Sequence, residues 1–377
     1  MSSREPFDAA ILMGRFQPFH HAHAALLRAA LVRAGRVLVV LGSAFAARNI
    51  RNPFTEKERA MMIRASLGAR AARRVSFVCV RDYYDDRRWA VAVARRAQEE
   101  MQEQGVSPGA RVALVGFHKD ASSNYLHFFP QWSLLTLERQ GDLNASAIRR
   151  MYFTQEADAS WSALLPPAVA RFLEDWRASA DFAAMQEEYQ AVIAYRQKWG
   201  AGPFVTLDAL VTAAGHALLV RRKNAPGRGL WAIPGGFLEG RERLCQGALR
   251  ELKEETGLDA PDAEIMHALR ATAVFDHPDR STRGRILTHA HWFALPLATP
   301  PAVHGADDAA EARWFSIDEL PAMETELFED HFHILDHFLC FGGQEAGIRD
   351  QESGIRDQES GIRDQESEEA NRAHTGN

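Results

Sequence analysis

Apolar residues in the first half of the chain alternate between short continuous runs and helical spacing. The continuous runs predict buried strands at residues 8–13, 37–41, 75–80 and 112–115. Between them, apolar positions recur with helical periodicity near 21–34, 55–67 and 88–104. Continuously apolar strands separated by helices are typical of a parallel sheet that helices cover on both faces. We therefore predict an α/β domain with a Rossmann-like, doubly wound parallel sheet over residues 7–178.

The pattern changes after a helical stretch at 167–199. Strands are predicted at 204–212, 216–222, 286–295 and 312–316. They surround one strong helix near 241–256. Strands around a few helices indicate an α+β or α/β/α sandwich. We assign a helical linker to 179–202 and a second domain to 203–341.

The last 36 residues contain a perfect repeat. The heptad GIRDQES occurs at 347–353, 354–360 and 361–367. Each copy has a single strongly apolar residue, so the two apolar positions that a coiled coil needs in every heptad are absent. We predict that 342–377 is a disordered tail.

Charge and composition narrow the class of protein. The formal net charge is −6, and 342–377 alone holds nine acidic and four basic residues. The remaining chain is nearly neutral and gives no broad basic surface for nucleic acid. Apolar runs are too short for a membrane span, and three scattered cysteines fit a reducing compartment. We expect a soluble cytoplasmic protein with neither nucleic-acid nor membrane partners; whether it forms a homo-oligomer is left open.

The first candidate site follows the first strand, where residues 14–23 have the sequence GRFQPFHHAH. Gly14 lets the chain approach a ligand closely, and the start of the next helix offers free N–H groups to phosphate. His20 and His23 are three residues apart, so they share a helix face. Two imidazoles there can bind a triphosphate and stabilise charge on departing pyrophosphate.

These residues resemble the nucleotidylyltransferase superfamily, and more closely the archaeal-type nicotinamide-mononucleotide adenylyltransferases. Further segments carry the likeness: GSAFAARNIRNPFTEKER at 42–59, VGFHKDASSNYLHFFPQW at 115–132 and NASAIR at 144–149. Ala22 and Asn144 depart from the usual motifs, which have Gly and Ser there. The resemblance implies adenylyl transfer from ATP to nicotinamide mononucleotide, giving NAD and pyrophosphate, with Mg²⁺.

The same resemblance implies the site residues. His20, His23 and Arg149 are expected to be catalytic, and Trp89 is expected to stack on the nicotinamide ring. The residues expected to bind ATP or the second substrate are Gly14, Arg15, Phe16, Arg48, Asn52, Asp82, Trp89, Lys119 and Ser146.

The second candidate site lies at 236–258, GFLEGRERLCQGALRELKEETGL. Gly257 is placed to end a helix. Glu251, Glu254 and Glu255 share one helix face near the helix C-terminus, where like charges and the helix dipole both disfavour them. A hard divalent cation would compensate for that cost.

This spacing matches the Nudix box at all of its fixed positions, so the chain resembles Nudix hydrolases and the second domain is expected to be a Nudix α/β/α sandwich. The resemblance implies Glu251, Glu254 and Glu255 as metal ligands for Mg²⁺ or Mn²⁺, with Glu254 and Glu255 catalytic. Gly236, Glu242 and Arg250 are expected to support them.

The stretch 219–231 resembles ADP-ribose pyrophosphatases fused to such adenylyltransferases, which implies ADP-ribose hydrolysis to AMP and ribose 5-phosphate. Three alternatives stay open. The first domain could instead use pantetheine phosphate, the second could remove oxidised nucleotides, or the second could be an ADP-ribose-sensing regulator.

Overall fold

The computed structural model describes residues 7–116, 127–136, 143–154 and 161–341. The GIRDQES repeats and the rest of the segment predicted as a disordered tail, 342–377, lie outside these residues. Within the described part, no helix is both long and apolar enough to cross a membrane. Both sheets described below belong to one compact unit that extends to Ile334.

The first sheet has five strands in the order β3-β2-β1-β4-β5, and all neighbouring pairs are parallel. Its strands are β1 (Phe7–Gly14), β2 (Ala34–Leu41), β3 (Val75–Cys79), β4 (Val112–Gly116) and β5 (Ser133–Thr136). The accompanying helices are α1 (His21–Arg33), α2 (Glu56–Ala65), α3 (Ala69–Ala72), α4 (Asp86–Glu103) and α5 (Ala145–Thr154). The prediction of a parallel Rossmann-like sheet is confirmed.

Successive residues of β1 face opposite layers. Leu12 packs in the same buried cluster as Leu27 of α1, whereas Ile11 packs in the cluster that contains Val93 of α4. A strand buried on both faces needs apolar residues at every position, which explains the continuous apolar runs.

The helical stretch after the first sheet consists of α6 (Pro167–Trp176) and α7 (Ala180–Trp199). Ser179 caps the start of α7, because its hydroxyl accepts a hydrogen bond from the backbone N–H of Phe182 at 3.1 Å. Phe182, Met185 and Tyr189 of α7 are buried in the cluster that underlies the first sheet. The segment predicted as a linker therefore contributes side chains to the first core.

The second sheet has seven strands. They are β6 (Phe204–Ala213), β7 (His216–Arg222), β8 (Trp231–Ala232), β9 (Gly235–Phe237), β10 (Leu269–Phe275), β11 (Ile286–Leu295) and β12 (Ala309–Ser316). The associated helices are α8 (Leu244–Thr256), α9 (Asp262–His267) and α10 (His331–Leu339). β11 is parallel to β6, and the remaining pairs are antiparallel. Leu252 of α8 and Leu207 of β6 belong to the same buried cluster, so the carboxylate helix packs on the sheet.

Two candidate active sites

The loop after β1 folds tightly onto itself. Phe16 has a φ of 52° and is buried, and its ring would lie 2.9 Å from a Cβ added at Gly14. A side chain at Gly14 would therefore force the buried Phe16 ring to move. The turn delivers His20 to the position just before α1, where free helix N–H groups favour anions.

His20 and His23 form a stacked pair at this helix start. Their ring centroids are 3.6 Å apart, and the backbone N–H of His20 donates to Nδ1 of His23 at 3.4 Å. Burial, with a smaller effect from His21, lowers the pKa of His20 to about 4. Burial and then His20 lower the pKa of His23 well below its usual value. Both imidazoles are therefore neutral at pH 7.

Two buried polar atoms near this loop have no hydrogen-bond partner in the described part of the chain. They are Nδ1 of His20 and Oδ1 of Asn52. Buried polar atoms are normally paired, so both atoms are candidates for hydrogen bonds to a bound ligand. Both belong to the residues that the sequence predicts to bind nucleotide.

Three arginines, Arg15, Arg51 and Arg149, lie close to one another at this loop. Arg149 donates to two backbone carbonyls and to the hydroxyl of Ser146, the latter at 3.0 Å. Burial, followed by the positive charges of Arg15 and Arg51, lowers the pKa of Arg149 to about 10. It remains charged at pH 7, so the cluster is a strongly positive environment suited to phosphate.

Arg59 holds two loops together and was not assigned a role from the sequence. It is 1% exposed, and its guanidinium donates to the carbonyls of Arg15 (2.7 Å), Gly42 (2.6 Å) and Ser43 (3.2 Å). It therefore ties the carboxyl end of β1 to that of β2. A single arginine on a helix produces no periodic signal that could have revealed this.

A cavity of about 800 Å³ opens beside these loops. Among the residues predicted to bind substrate, those that line it are Gly14, Arg15, Asn52, Asp82 and Trp89. Residues of the second half of the chain that also line it are His277, Asp279, Arg280, Thr282, Glu324, Glu329 and His333. The cavity is therefore built by both halves of the chain.

The second site centres on the end of α8. The helix stops at Gly257, whose φ of +58° is the left-handed conformation that glycine tolerates. Glu255 is buried, and its Oε2 accepts a hydrogen bond from the backbone N–H of Gly235 at 3.0 Å. Burial raises the pKa of Glu255 to about 8; Gly235 opposes this rise, and the charge of Glu251 adds to it.

Arg250 organises the other carboxylates. Its Nε donates to Glu242 at 2.6 Å, and its Nη1 donates to Glu251 at 2.8 Å and to Glu254 at 2.9 Å. A planar guanidinium can hold several carboxylates at once in fixed directions. Burial raises the pKa of Glu251, and its hydrogen bond to Arg250 acts in the opposite direction.

The residues here suit a hard divalent cation. A Cβ at Gly236 would lie 2.3 Å from Oε1 of Glu251, so the missing side chain leaves room for that carboxylate beside β9. Carboxylate and backbone oxygens are the donors such cations prefer. Within the described residues, however, no three acidic, His or Cys side chains are already gathered for a metal. Glu251 and Glu254 are bound to Arg250, and Glu255 to Gly235.

A cavity of about 50 Å³ adjoins Glu255. Polar residues that line it include Asp208, Arg222, Arg280, Arg283, Glu329 and His331, and of these Arg222 lies in the stretch 219–231 that resembles ADP-ribose pyrophosphatases. Arg280 and Glu329 also line the first cavity. Arg280 is held by Asp330 through two hydrogen bonds of 2.7 and 2.8 Å. The two partners are far apart in sequence, so no local pattern marks them.

Comparisons with known proteins match each half of the chain separately. A cytidylyltransferase-like family model matches residues 11–130, and a NUDIX domain model matches 203–338. The nicotinamide/nicotinic acid mononucleotide adenylyltransferase of Acinetobacter baylyi is 34% identical over 186 residues, which are 49% of this chain and 95% of that protein. The ADP-ribose pyrophosphatase of Methanocaldococcus jannaschii is 34% identical over 137 residues, 36% of this chain and 73% of that protein.

A solved structure covers both halves together. It is a bifunctional NMN adenylyltransferase/ADP-ribose pyrophosphatase from Francisella tularensis, in complex with AMP and a manganese ion. It is 30% identical, has a TM-score of 0.80, and the match covers 88% of this chain and 98% of that one. The chain belongs to this bifunctional family. The predictions of fold class and family are confirmed.

Some of the residues predicted to bind substrate do not line the first cavity. Phe16 packs beneath Gly14. Arg48 is engaged by Glu58 at 2.6 Å and by Asp181 at 2.9 Å, and it does not line the cavity. Lys119 lies outside the described residues. Their substrate-binding roles stay predictions.

Proposed function

We propose that this member of the bifunctional family catalyses two reactions. One transfers an adenylyl group from ATP to nicotinamide mononucleotide, giving NAD and pyrophosphate. The other hydrolyses ADP-ribose to AMP and ribose 5-phosphate. The observation that carries the proposal is the presence, on one chain, of an anion-binding loop and a carboxylate helix, each beside its own cavity.

In adenylyl transfer, the 5′-phosphate of the mononucleotide attacks the α-phosphorus of ATP, and pyrophosphate leaves in line. The chain supplies position and charge. His20 and His23 donate hydrogen bonds to the triphosphate, and Arg15 and Arg149 balance its charge. Arg59 keeps the two loops in register, because it binds their carbonyls.

The mononucleotide occupies the same cavity in this proposal. Asp82 and Trp89 line this cavity. Trp89 stacks on the pyridine ring, and the surrounding acidic residues favour its positive charge.

For hydrolysis, Glu251 and Glu255 would hold a divalent cation, with Glu254 alongside. When bound, such a cation would supply polarisation of a diphosphate and a lowered pKa for a bound water. Arg250 fixes the direction of Glu251, and Glu242 fixes Arg250 from the opposite side. The backbone N–H of Gly235 orients Glu255. We propose Mg²⁺ as the working ion, and Mn²⁺ as a substitute.

We further propose that the protein works in the cytoplasm on small nucleotides, without nucleic acid. A regulator that senses ADP-ribose would bind DNA and would leave ADP-ribose intact. The carboxylates that the resemblance assigns to catalysis are all present in the sequence, which favours an enzyme.

Product analysis tests the proposal. Purified full-length chain is incubated with ATP and nicotinamide mononucleotide, and separately with ADP-ribose, each with Mg²⁺ or Mn²⁺. NAD and pyrophosphate are expected in the first case, and AMP and ribose 5-phosphate in the second. Transfer to pantetheine phosphate, or hydrolysis of oxidised nucleotides in preference to ADP-ribose, would assign the alternative substrates.

A further inference from the structure

A loop of the second half forms one wall of the adenylyltransferase cavity. It connects β10 to β11, within the part of the chain that the NUDIX model matches. His277, Asp279 and Arg280 of this loop line the cavity. The cytidylyltransferase-like model ends long before this loop, at residue 130.

Arg51 fixes the loop to the first half of the chain. Its Nη1 donates to the carbonyl of Asp279 at 2.6 Å, and its Nη2 donates to the carbonyl of Ser281 at 2.9 Å. The Asp279 carboxylate is a further 3.2 Å contact. Three contacts from one guanidinium define both the position and the orientation of the loop.

His277 then lies flat against Tyr84. The ring centroids are 4.2 Å apart and the planes differ by 11°. Tyr84 comes two residues after Asp82 and shortly before α4, which carries Trp89, and all three line the cavity with His277. The stack therefore lies on the segment that leads from Asp82 to Trp89.

Aromatic residues and carboxylates line the cavity together with His277. The aromatic residues include Tyr84 and Trp89, and the carboxylates include Asp82 and Asp86. Glu324 also lines it but is paired with Arg81 at 3.2 Å, and two arginines, Arg51 and Arg280, line the same cavity. Aromatic faces and carboxylates both attract a pyridinium ring. Of the arginines proposed to bind phosphate, Arg15 lines the same cavity and Arg149 does not.

We propose that His277 is a positioning residue for adenylyl transfer: stacked on Tyr84, it completes the aromatic surface that receives the pyridine ring of the mononucleotide. The inference rests on the proposed function of the first site. In this proposal a residue of the second domain takes part in the first domain's reaction. The adenylyltransferase pocket is then incomplete without the β10–β11 loop.

Full-length variants test the proposal. His277→Ala should raise the KM for nicotinamide mononucleotide about 2- to 12-fold, the range expected for one lost aromatic contact. The KM for ATP and the hydrolysis of ADP-ribose should stay unchanged. His277→Phe preserves a flat ring and should restore the KM. His267→Ala, on α9 and away from both cavities, is the matched control.

The outcomes distinguish the proposed function of the first site from the proposed role of His277. If the unaltered chain makes no NAD, the proposed function of the first site is wrong. If it makes NAD but His277→Ala retains the original KM for the mononucleotide, the positioning role is wrong. A phenylalanine variant as impaired as the alanine variant would exclude stacking. An equal loss of hydrolysis in His277→Ala would show that the residue only maintains the fold.

Discussion

His23 accepts a hydrogen bond through Nδ1 from the backbone N–H of His20, and the two rings stack with centroids 3.6 Å apart. The contact fixes the neutral form of His23, because a protonated Nδ1 could not accept. A phosphate site built this way depends on imidazole N–H donors and nearby arginines, rather than on imidazolium charge.

The buried pair should make stability depend on pH. Burial lowers the pKa of His20 to about 4 and that of His23 well below its usual value, whereas both are near 6.5 when unfolded. The unfolded chain therefore takes up protons first as the pH falls, and the free energy of unfolding should fall below pH 6.5. Denaturant unfolding at pH 7.5 and 5.5 measures this loss. The loss should be smaller in a His20→Asn, His23→Asn double variant; an equal loss would place the dependence elsewhere.

Glu255→Gln should separate metal binding from folding. Glutamine has nearly the same shape, so the helix should form, and it replaces a carboxyl group whose ionisation is disfavoured by burial. ADP-ribose hydrolysis should fall about 100-fold or more, because the cation loses a charged ligand. Melting in EDTA should be equal or slightly higher than in the unaltered chain. Full hydrolysis at ordinary Mg²⁺ would mean that Glu255 only packs.

Gly236→Ala should damage the same site by a different route. The added Cβ would lie 2.3 Å from the Glu251 carboxylate, which must then move away from its position beside β9. The side chain is flexible at its far end, so folding should survive while hydrolysis falls about 10- to 100-fold. Gly240→Ala is a matched control, since a Cβ there meets nothing within 4 Å. Equal activity of the two variants would show that Glu251 has no need of that space.

The boundary of the first domain can be tested by truncation. A chain that ends at 178 loses Phe182, Met185 and Tyr189 from the buried cluster of the first sheet. Burial of each such side chain contributes roughly 1.5–3 kcal/mol. A chain that ends at 200 should therefore melt at a clearly higher temperature than one that ends at 178. Identical melting would show that α7 is only a linker.

The sequence predicted the elements whose patterns are local. Strands buried on both faces, such as β1, are continuously apolar, and β11 was predicted with its observed bounds, residues 286–295. β5 is only four residues long and three of them are exposed, so it carries almost no apolar pattern. β8 has only two residues, which is too short for an apolar pattern to predict it.

The site residues that the sequence predicts are likewise those that lie close together in the chain. Glu251, Glu254 and Glu255 were found because their spacing on one helix has a chemical meaning. Asp208, Arg280 and Glu329 were not, because strands and loops distant in the chain bring them together. His277 lines the first cavity because of similar packing between distant parts of the chain, and periodicity in the sequence does not predict such contacts.

The most direct test of one reaction per site on this chain is a crossed assay of two full-length variants. In His23→Ala, adenylyl transfer should fall about 100-fold or more, because a donor to the departing pyrophosphate is lost, while ADP-ribose hydrolysis persists. In Glu255→Gln, hydrolysis should be lost and adenylyl transfer should persist. Loss of both activities in either variant, or loss of neither, would contradict the assignment of one reaction to each site.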